Sequence, residues 1–258
     1  MRTEIITKPS ELRAVWSRQY ERLARIFAEV IGKESRELVE IGCGSGQLTV
    51  PLMKQTPDSR FVLVDTFANS RTGFYSKKRY EALVSNLRKS KLLARTRIVV
   101  SDCFKWSKRE DDETYDAIIS GEFLPEIDSV ETSQFIQECY RLLKPRSVTV
   151  HSFLSPIPKN SRQKLLIQAD SNPRWTSTPP KEWFSPKPGF VIKELSKSGF
   201  QRIRKVTIRS HLIVQADAAK SLLRSWEVKA SFYETHKKLL NRRGLEIPDW
   251  VIISGIKS

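Results

Sequence analysis

The chain has 258 residues, 39% of them apolar and 29% charged, with a formal net charge of +16 at pH 7. That length allows one full core with an appendage or two small domains, and no apolar run reaches the roughly 20 residues that span a bilayer, so no membrane partner is expected. Met1 to Pro9 lacks the apolar core of a secretory signal, and Cys43, Cys103 and Cys139 have no metal-ligand spacing and cannot all pair, so a cytoplasmic protein without a metal site is expected.

Leu12, Val15, Trp16, Leu23, Ile26, Phe27, Val30 and Ile31 recur at helical spacing and predict a helix over 10–31, with Ser10 as its N-cap. A short apolar strand over 37–42 then runs into glycines at 42, 44 and 46, with Glu40 two places before the first. Beyond it, helices near 47–55, 75–90 and 131–142 alternate with strands near 61–65, 96–100, 116–120 and 147–152. That rhythm predicts an α/β protein whose mostly parallel sheet is covered on both faces, with ligands at the carboxyl ends of its strands. The Lys144-Pro145 pair stops the helix before the fifth of these strands. Residues 155–190 break the rhythm with seven prolines, Trp175, Trp183 and Phe184, and read as an excursion over the substrate mouth rather than a mere connector. A helix from Phe190 to Ser198 ends at Gly199, and strands follow over 201–208 and 250–256. Between them a basic helix over 218–240 is expected, with Leu222, Leu223, Trp226, Ala230 and Tyr233 on its apolar stripe.

The glycines carry the chemistry. Dinucleotide turns read G-x-G-x-x-G, but here the third-glycine position of that pattern is Gln47 and the spacing is G-x-G-x-G. Glu40 would repel a pyrophosphate and attract an amino group or a sulfonium, which disfavours the rival reading of a nicotinamide-dependent oxidoreductase. At these residues the chain resembles the class I S-adenosylmethionine-dependent methyltransferases, whose first motif has this acidic residue and these glycines. The resemblance covers about residues 10–210 and resumes at the last strand.

It implies a Rossmann-like doubly wound sheet of seven strands, mostly parallel with an antiparallel last strand, in a single domain over 1–258, with S-adenosylmethionine as cofactor. By the same resemblance, the turn of Glu40, Gly42, Cys43, Gly44 and Gly46 meets the methionyl part of the cofactor. Asp65 accepts from the ribose hydroxyls, Asp102 accepts from the adenine amino group, and the Cys103 backbone N–H meets the ring. Ser120 at the end of the fourth strand is counted with them. The leading helix of the family often covers this site, so Trp16 or Tyr20 can line it; core packing is the expected role of Trp16.

The methyl acceptor is not readable from the chain. Ser120-Gly121-Glu122-Phe123 does not match the Asn/Asp-Pro-Pro-aromatic of base-amine methyltransferases, and no cysteine stands where a 5-methylcytosine enzyme needs its nucleophile. Glu122 with Glu131 resembles the paired glutamates of protein arginine methyltransferases and gives the candidate catalytic pair; the bland reading makes Glu131 a first-turn helix charge. Glu122 to Ile127, with Leu142-Leu143-Lys144-Pro145, resembles many small-molecule methyltransferases, except that Arg146 stands where they have glycine. Charge is uneven, +4 over residues 1–150 and +12 over 151–258. The basic, aromatic-bearing C-terminal part therefore favours RNA or another polyanion slightly over a small metabolite. A non-catalytic nucleotide- or RNA-binding protein, and a generally basic protein with no polyanionic partner, stay open beside it.

Overall fold

The computed structural model describes residues 3–68, 75–170, 185–226 and 228–258. Strand β1 (Glu4–Ile6) leads into α1 (Pro9–Ile31), and then β2 (Glu37–Ile41), α2 (Thr49–Gln55), β3 (Arg60–Asp65), α3 (Lys77–Lys89) and β4 (Thr96–Val100) alternate. Helix α4 (Cys103–Ser107), β5 (Tyr115–Gly121), α5 (Ser129–Leu142) and β6 (Leu143–Leu154) complete the regular part. After them come α6 (Ser161–Asp170), α7 (Pro188–Lys197), β7 (Gln201–Ile208), β8 (Leu212–Val214), α8 (Ala216–Ser225), α9 (Ala230–Arg243), β9 (Leu245–Glu246) and β10 (Trp250–Ile256).

The main sheet has the order β4-β3-β2-β5-β6-β10-β7, with β10 antiparallel to both of its neighbours and the other pairs parallel. This is the expected seven-stranded, doubly wound arrangement. Strand order reverses between β2 and β5, so a crevice opens at their carboxyl ends, where such sheets bind ligands. The near-continuous apolar runs of β2, β3 and β5 follow from burial on both faces: Leu38, Leu63 and Ile119 face one core with Phe27 of α1 and Leu52 of α2, and Val39, Val64 and Ile118 face the other with Phe135 and Ile136 of α5.

Three expectations change. Helix α1 starts one residue earlier than predicted: Lys8 is the N-cap, Pro9 takes the first helical position, and the Glu11 carboxylate accepts from the Thr7 and Lys8 N–H groups at 3.2 and 3.1 Å. Ser10 is therefore inside the first turn, because proline needs no N–H partner there. The basic helix is two, α8 and α9, and the chain turns between them so that Trp226, Val228, Phe232 and Tyr233 all pack against one small core. That core is the third departure: β1, β8 and β9 form a separate three-stranded sheet, and Ile6, Leu12, Leu166, Leu222, Leu240 and Leu245 are buried together beneath it. Helix α6, within 155–190, contributes Leu165, Leu166 and Ala169 to the same core. Trp175, Trp183 and Phe184 lie outside the described residues. Among the described residues no helix is long and apolar enough to cross a membrane.

Candidate active site

The turn after β2 is built by three glycines with left-handed backbones, Gly42 at φ +75°, Gly44 at +51° and Gly46 at +84°. Each is there for a different reason. A Cβ on Gly42 would meet the Phe123 ring at 2.9 Å, and one on Gly46 would meet Leu83 of α3 at 2.8 Å. A Cβ on Gly44 would meet nothing within 4 Å, since it would project into open space. Gly44 thus keeps a cradle clear while the outer two let neighbouring elements close in.

A pocket of about 600 Å³ lies over this cradle, with Glu40, Gly42, Cys43, Gly44, Asp65 and Asp102 in its wall and Cys103 beside them. The Gly44 N–H donates to Asp65 Oδ2 at 2.8 Å, and Asp65 Oδ1 accepts from the Phe67 N–H. Asp102 is the N-cap of α4 and accepts through Oδ1 from the N–H groups of Phe104 and Lys105 at 3.0 and 3.1 Å. Both carboxylates are therefore fixed in direction by backbone. Glu40 is different: it is 1% exposed, its Oε2 makes no hydrogen bond, and burial pushes its carboxyl up to about 8.

Two expected residues are elsewhere. Gly46 lines a separate surface groove behind the turn, beside Asn86 and Lys89. Ser120 is fully buried, and its hydroxyl meets His151 Nδ1 at 2.9 Å. The far ring nitrogen of His151 lies 2.8 Å from Thr149 Oγ1, which itself donates to the Ile118 carbonyl at 3.0 Å. Thr149 has then spent its proton, so His151 donates from Nε2 and accepts the Ser120 proton at Nδ1. Burial pushes the His151 imidazole down to about 3, so it is a neutral tie between β5 and β6. It is wholly buried and meets the Phe135 ring of α5 edge-on at 5.4 Å.

Glu122 and Glu131 both reach the pocket wall. Glu131 is held in a capping box: it accepts from the Asp128 N–H at 3.0 Å while Asp128 Oδ1 accepts from the Glu131 N–H at 2.8 Å. Its first-turn role is thus realised, with one carboxylate oxygen committed to the helix. Glu122 has φ +59°, a conformation that L-residues adopt at some cost, and its N–H is anchored to the Ser152 carbonyl at 2.8 Å.

A second compartment, of about 570 Å³, adjoins the first, and the two share Tyr20, Ser45, Gln47, Arg79, Glu122 and Glu126. Aromatic side chains line it as well. Trp16 meets Trp250 edge-on at 5.9 Å between centroids, Tyr20 meets Trp250 at 5.8 Å, and Trp226 comes in from α8. Tyr20 faces both compartments, and burial together with the Glu122 and Glu40 carboxylates holds its phenol well above the usual range. Trp226, Trp250 and Asp170 carried no local signal of this role; only the approach of α8, β10 and α6 to α1 assembles them. The thiols take no part: burial pushes Cys103 up to about 12 and raises Cys43 and Cys139 as well, leaving no ready thiolate.

The reversed strand order, the glycine cradle at the crevice and the acidic ends of β2, β3 and β4 define a nucleoside-binding α/β protein of the methyltransferase type. Residues 38–146 match a family model described as a methyltransferase domain, in keeping with the resemblance to the class I S-adenosylmethionine-dependent methyltransferases. A comparison with curated proteins finds no match. Among solved structures the chain is similar to an S-adenosylmethionine-dependent methyltransferase from Archaeoglobus fulgidus, with 18% identity, a TM-score of 0.60, and 93% of this chain and 94% of that one covered. It is also similar to a cyclopropane-fatty-acyl-phospholipid synthase-like protein from Lactobacillus casei, at 13% identity, a TM-score of 0.68 and 95% and 92% coverage. A magnesium protoporphyrin IX methyltransferase from Synechocystis, with S-adenosylhomocysteine bound, aligns at 14% identity, a TM-score of 0.56 and 96% and 86% coverage. At these identities the likeness is one of fold.

The residues present fit the family's cofactor. Glu40 Oε2 is a buried carboxylate oxygen with no partner, beside a turn left open at Gly44, which is what a cationic, bulky methionyl group requires.

Proposed function

We propose that this protein transfers a methyl group from S-adenosylmethionine to a small acceptor held in the second compartment. The cofactor, when bound, supplies the activated methyl as a sulfonium. The chain supplies the rest. Gly42 and Gly44 give the methionyl part room, and Glu40 offers it a negative charge. Asp65 and Asp102, fixed by backbone N–H groups, are set to accept from the ribose and from the adenine amino group. Gly46 and Ser120 act indirectly, Gly46 by letting α3 pack and Ser120 by pinning the end of β5 from which Glu122 projects. Methyl transfer needs alignment above all, and a preformed acceptor compartment sharing a wall with the cofactor pocket provides it.

The single observation that carries this reading is that shared wall, at Tyr20, Glu122 and Glu126. Bound S-adenosylhomocysteine in a similar structure named for a small-molecule acceptor supports it. The basic C-terminal part suits a polyanion, but Lys237, Lys238, Arg242 and Arg243 are exposed on the outer helix α9 and do not line the compartment. An arginine-side-chain acceptor would want both oxygens of both glutamates, and Glu131 is engaged in its cap.

Calorimetry with S-adenosylhomocysteine beside NADH, followed by mass spectrometry of metabolite, RNA and protein fractions incubated with labelled cofactor, tests it. Binding of the former and label in the metabolite fraction are expected. NADH binding would sink the cofactor assignment, and label confined to RNA or protein would sink the acceptor class.

A further inference from the structure

Behind the glycine turn lies a surface groove of about 650 Å³ that methyl transfer leaves unused. Three helices send one cation each to it: Arg25 from α1, Lys54 from α2 and Lys89 from α3. All three are exposed, and none of them makes an ion pair among the described residues. Lys54 and Lys89 stand in the last turns of their helices, where the dipole favours a cation. That accounts for the charge but not for where it gathers, since Arg88 shares the last turn of α3 and does not line the groove. Arg25 lies inside α1, away from either end, and serves no helix terminus. Glu21, one turn before Arg25, is the one carboxylate among the described residues of the groove. Side-chain amides stand beside the cations. Asn86 spends one amide N–H on the Ser45 carbonyl at 2.9 Å and keeps the other, and Gln47 and Gln55 add two more amides. Gln47 lines the cofactor pocket too, so a ligand in the groove would lie against the cofactor turn without entering it.

We propose that this groove is a second ligand site, independent of the methyl-transfer reading, and that it takes a small anion bearing two or three linked phosphates. Guanidinium and ammonium groups bind phosphate oxygens through charge-assisted hydrogen bonds, and side-chain amides donate to the same oxygens. One exposed pair is weak, because water screens it. Three cations around one recess act together on a polyvalent anion, whose linked phosphates reach side chains that a lone phosphate cannot engage at the same time. S-adenosylmethionine carries no phosphate, so the cofactor is not the ligand that these cations match. A nucleic-acid strand is held differently, by cations spread along a track with aromatic rings for its bases. The described residues of the groove include no aromatic ring, and their cations meet at one recess.

The test uses the full chain with tripolyphosphate as the probe, titrated by calorimetry at neutral pH. Tripolyphosphate is expected to bind at least about tenfold more tightly than inorganic phosphate, and to stay bound under saturating S-adenosylhomocysteine. Arg25→Ala, Lys54→Ala and Lys89→Ala should each weaken it about fivefold. Lys237→Ala combined with Lys238→Ala, on the outer helix α9, should leave it unchanged. All of these positions are exposed, and a thermal melt of each variant checks that it is folded. No binding of tripolyphosphate, binding no tighter than that of phosphate, or an equal loss from the α9 pair would mean attraction by net charge only, and overturns the site. Displacement by S-adenosylhomocysteine moves the anion to the cofactor pocket and overturns it as well. A single-stranded RNA that binds more tightly than tripolyphosphate through the same three side chains overturns the small-anion class.

Discussion

Glu40 is the residue on which cofactor binding and stability pull in opposite directions. Its carboxyl, pushed up to about 8 by burial, holds its proton in the empty protein at neutral pH. A cationic ligand favours the ionised form, so binding should release a proton, and affinity for S-adenosylmethionine should rise from pH 6 to pH 8; calorimetry in buffers of different ionisation enthalpy measures both. For folding the sign is reversed. A carboxyl whose folded value is raised contributes stability at low pH that is lost as pH climbs from about 4.5 through 8. Glu40→Gln should therefore bind the cofactor product at least about tenfold more weakly yet melt at a higher temperature than wild type at pH 8.5. The glycines divide in the same way. Gly44→Ala should damage binding more than folding, because its Cβ enters the cradle. Gly46→Ala should damage folding more than binding, because its Cβ meets Leu83. Thermal melts and titrations on the two variants separate these effects.

Between residues and the whole, the joins of β5, α5 and β6 decide how Glu122 is presented. The Ser120–His151–Thr149 chain ties β5 to β6 directly under it. Because His151 is held neutral in the fold at a value of about 3 and would titrate near 6.5 unfolded, its tie is fully stabilising above about pH 6.5 and weakens as pH falls toward 3. A His151→Gln variant should show a flatter loss of melting temperature between pH 6.5 and 4. At the next join, Arg146 stands where resembling enzymes have glycine and adopts φ +67°. Arg146→Gly should accordingly raise stability by about 1 kcal/mol, read by denaturant unfolding, with S-adenosylhomocysteine affinity unchanged. The Asp128–Glu131 box at the start of α5 answers a question that the letters left open. Local capping chemistry, not a substrate, accounts for one oxygen of Glu131.

At the scale of the whole molecule, two cores flank the main sheet, and a third, smaller one packs α6, α8 and α9 beside α1. The three-stranded sheet at that third core is made of strands of only two or three residues, so it should open at lower free energy than β2 and β5. Hydrogen exchange is expected to show faster exchange in β1, β8 and β9 than in β2 and β5.

The alternation of strands and helices, the glycine turn with Glu40 before it, and the acidic ends of β3 and β4 were all legible in the sequence, because each depends on local periodicity or on backbone conformations that few residues can adopt. What the letters could not contain was the meeting of distant segments. One regular helical stripe over 218–240 looks the same whether it runs straight or turns back at Trp226, and only its packing on Leu12, Leu166 and Leu245 decides between them. Basic composition likewise suggested a polyanion, since a sum over residues carries no direction. Folding sends the cations of α9 outward and sets Glu122, Glu126 and Asp170 along one compartment, a placement that no sum over residues contains.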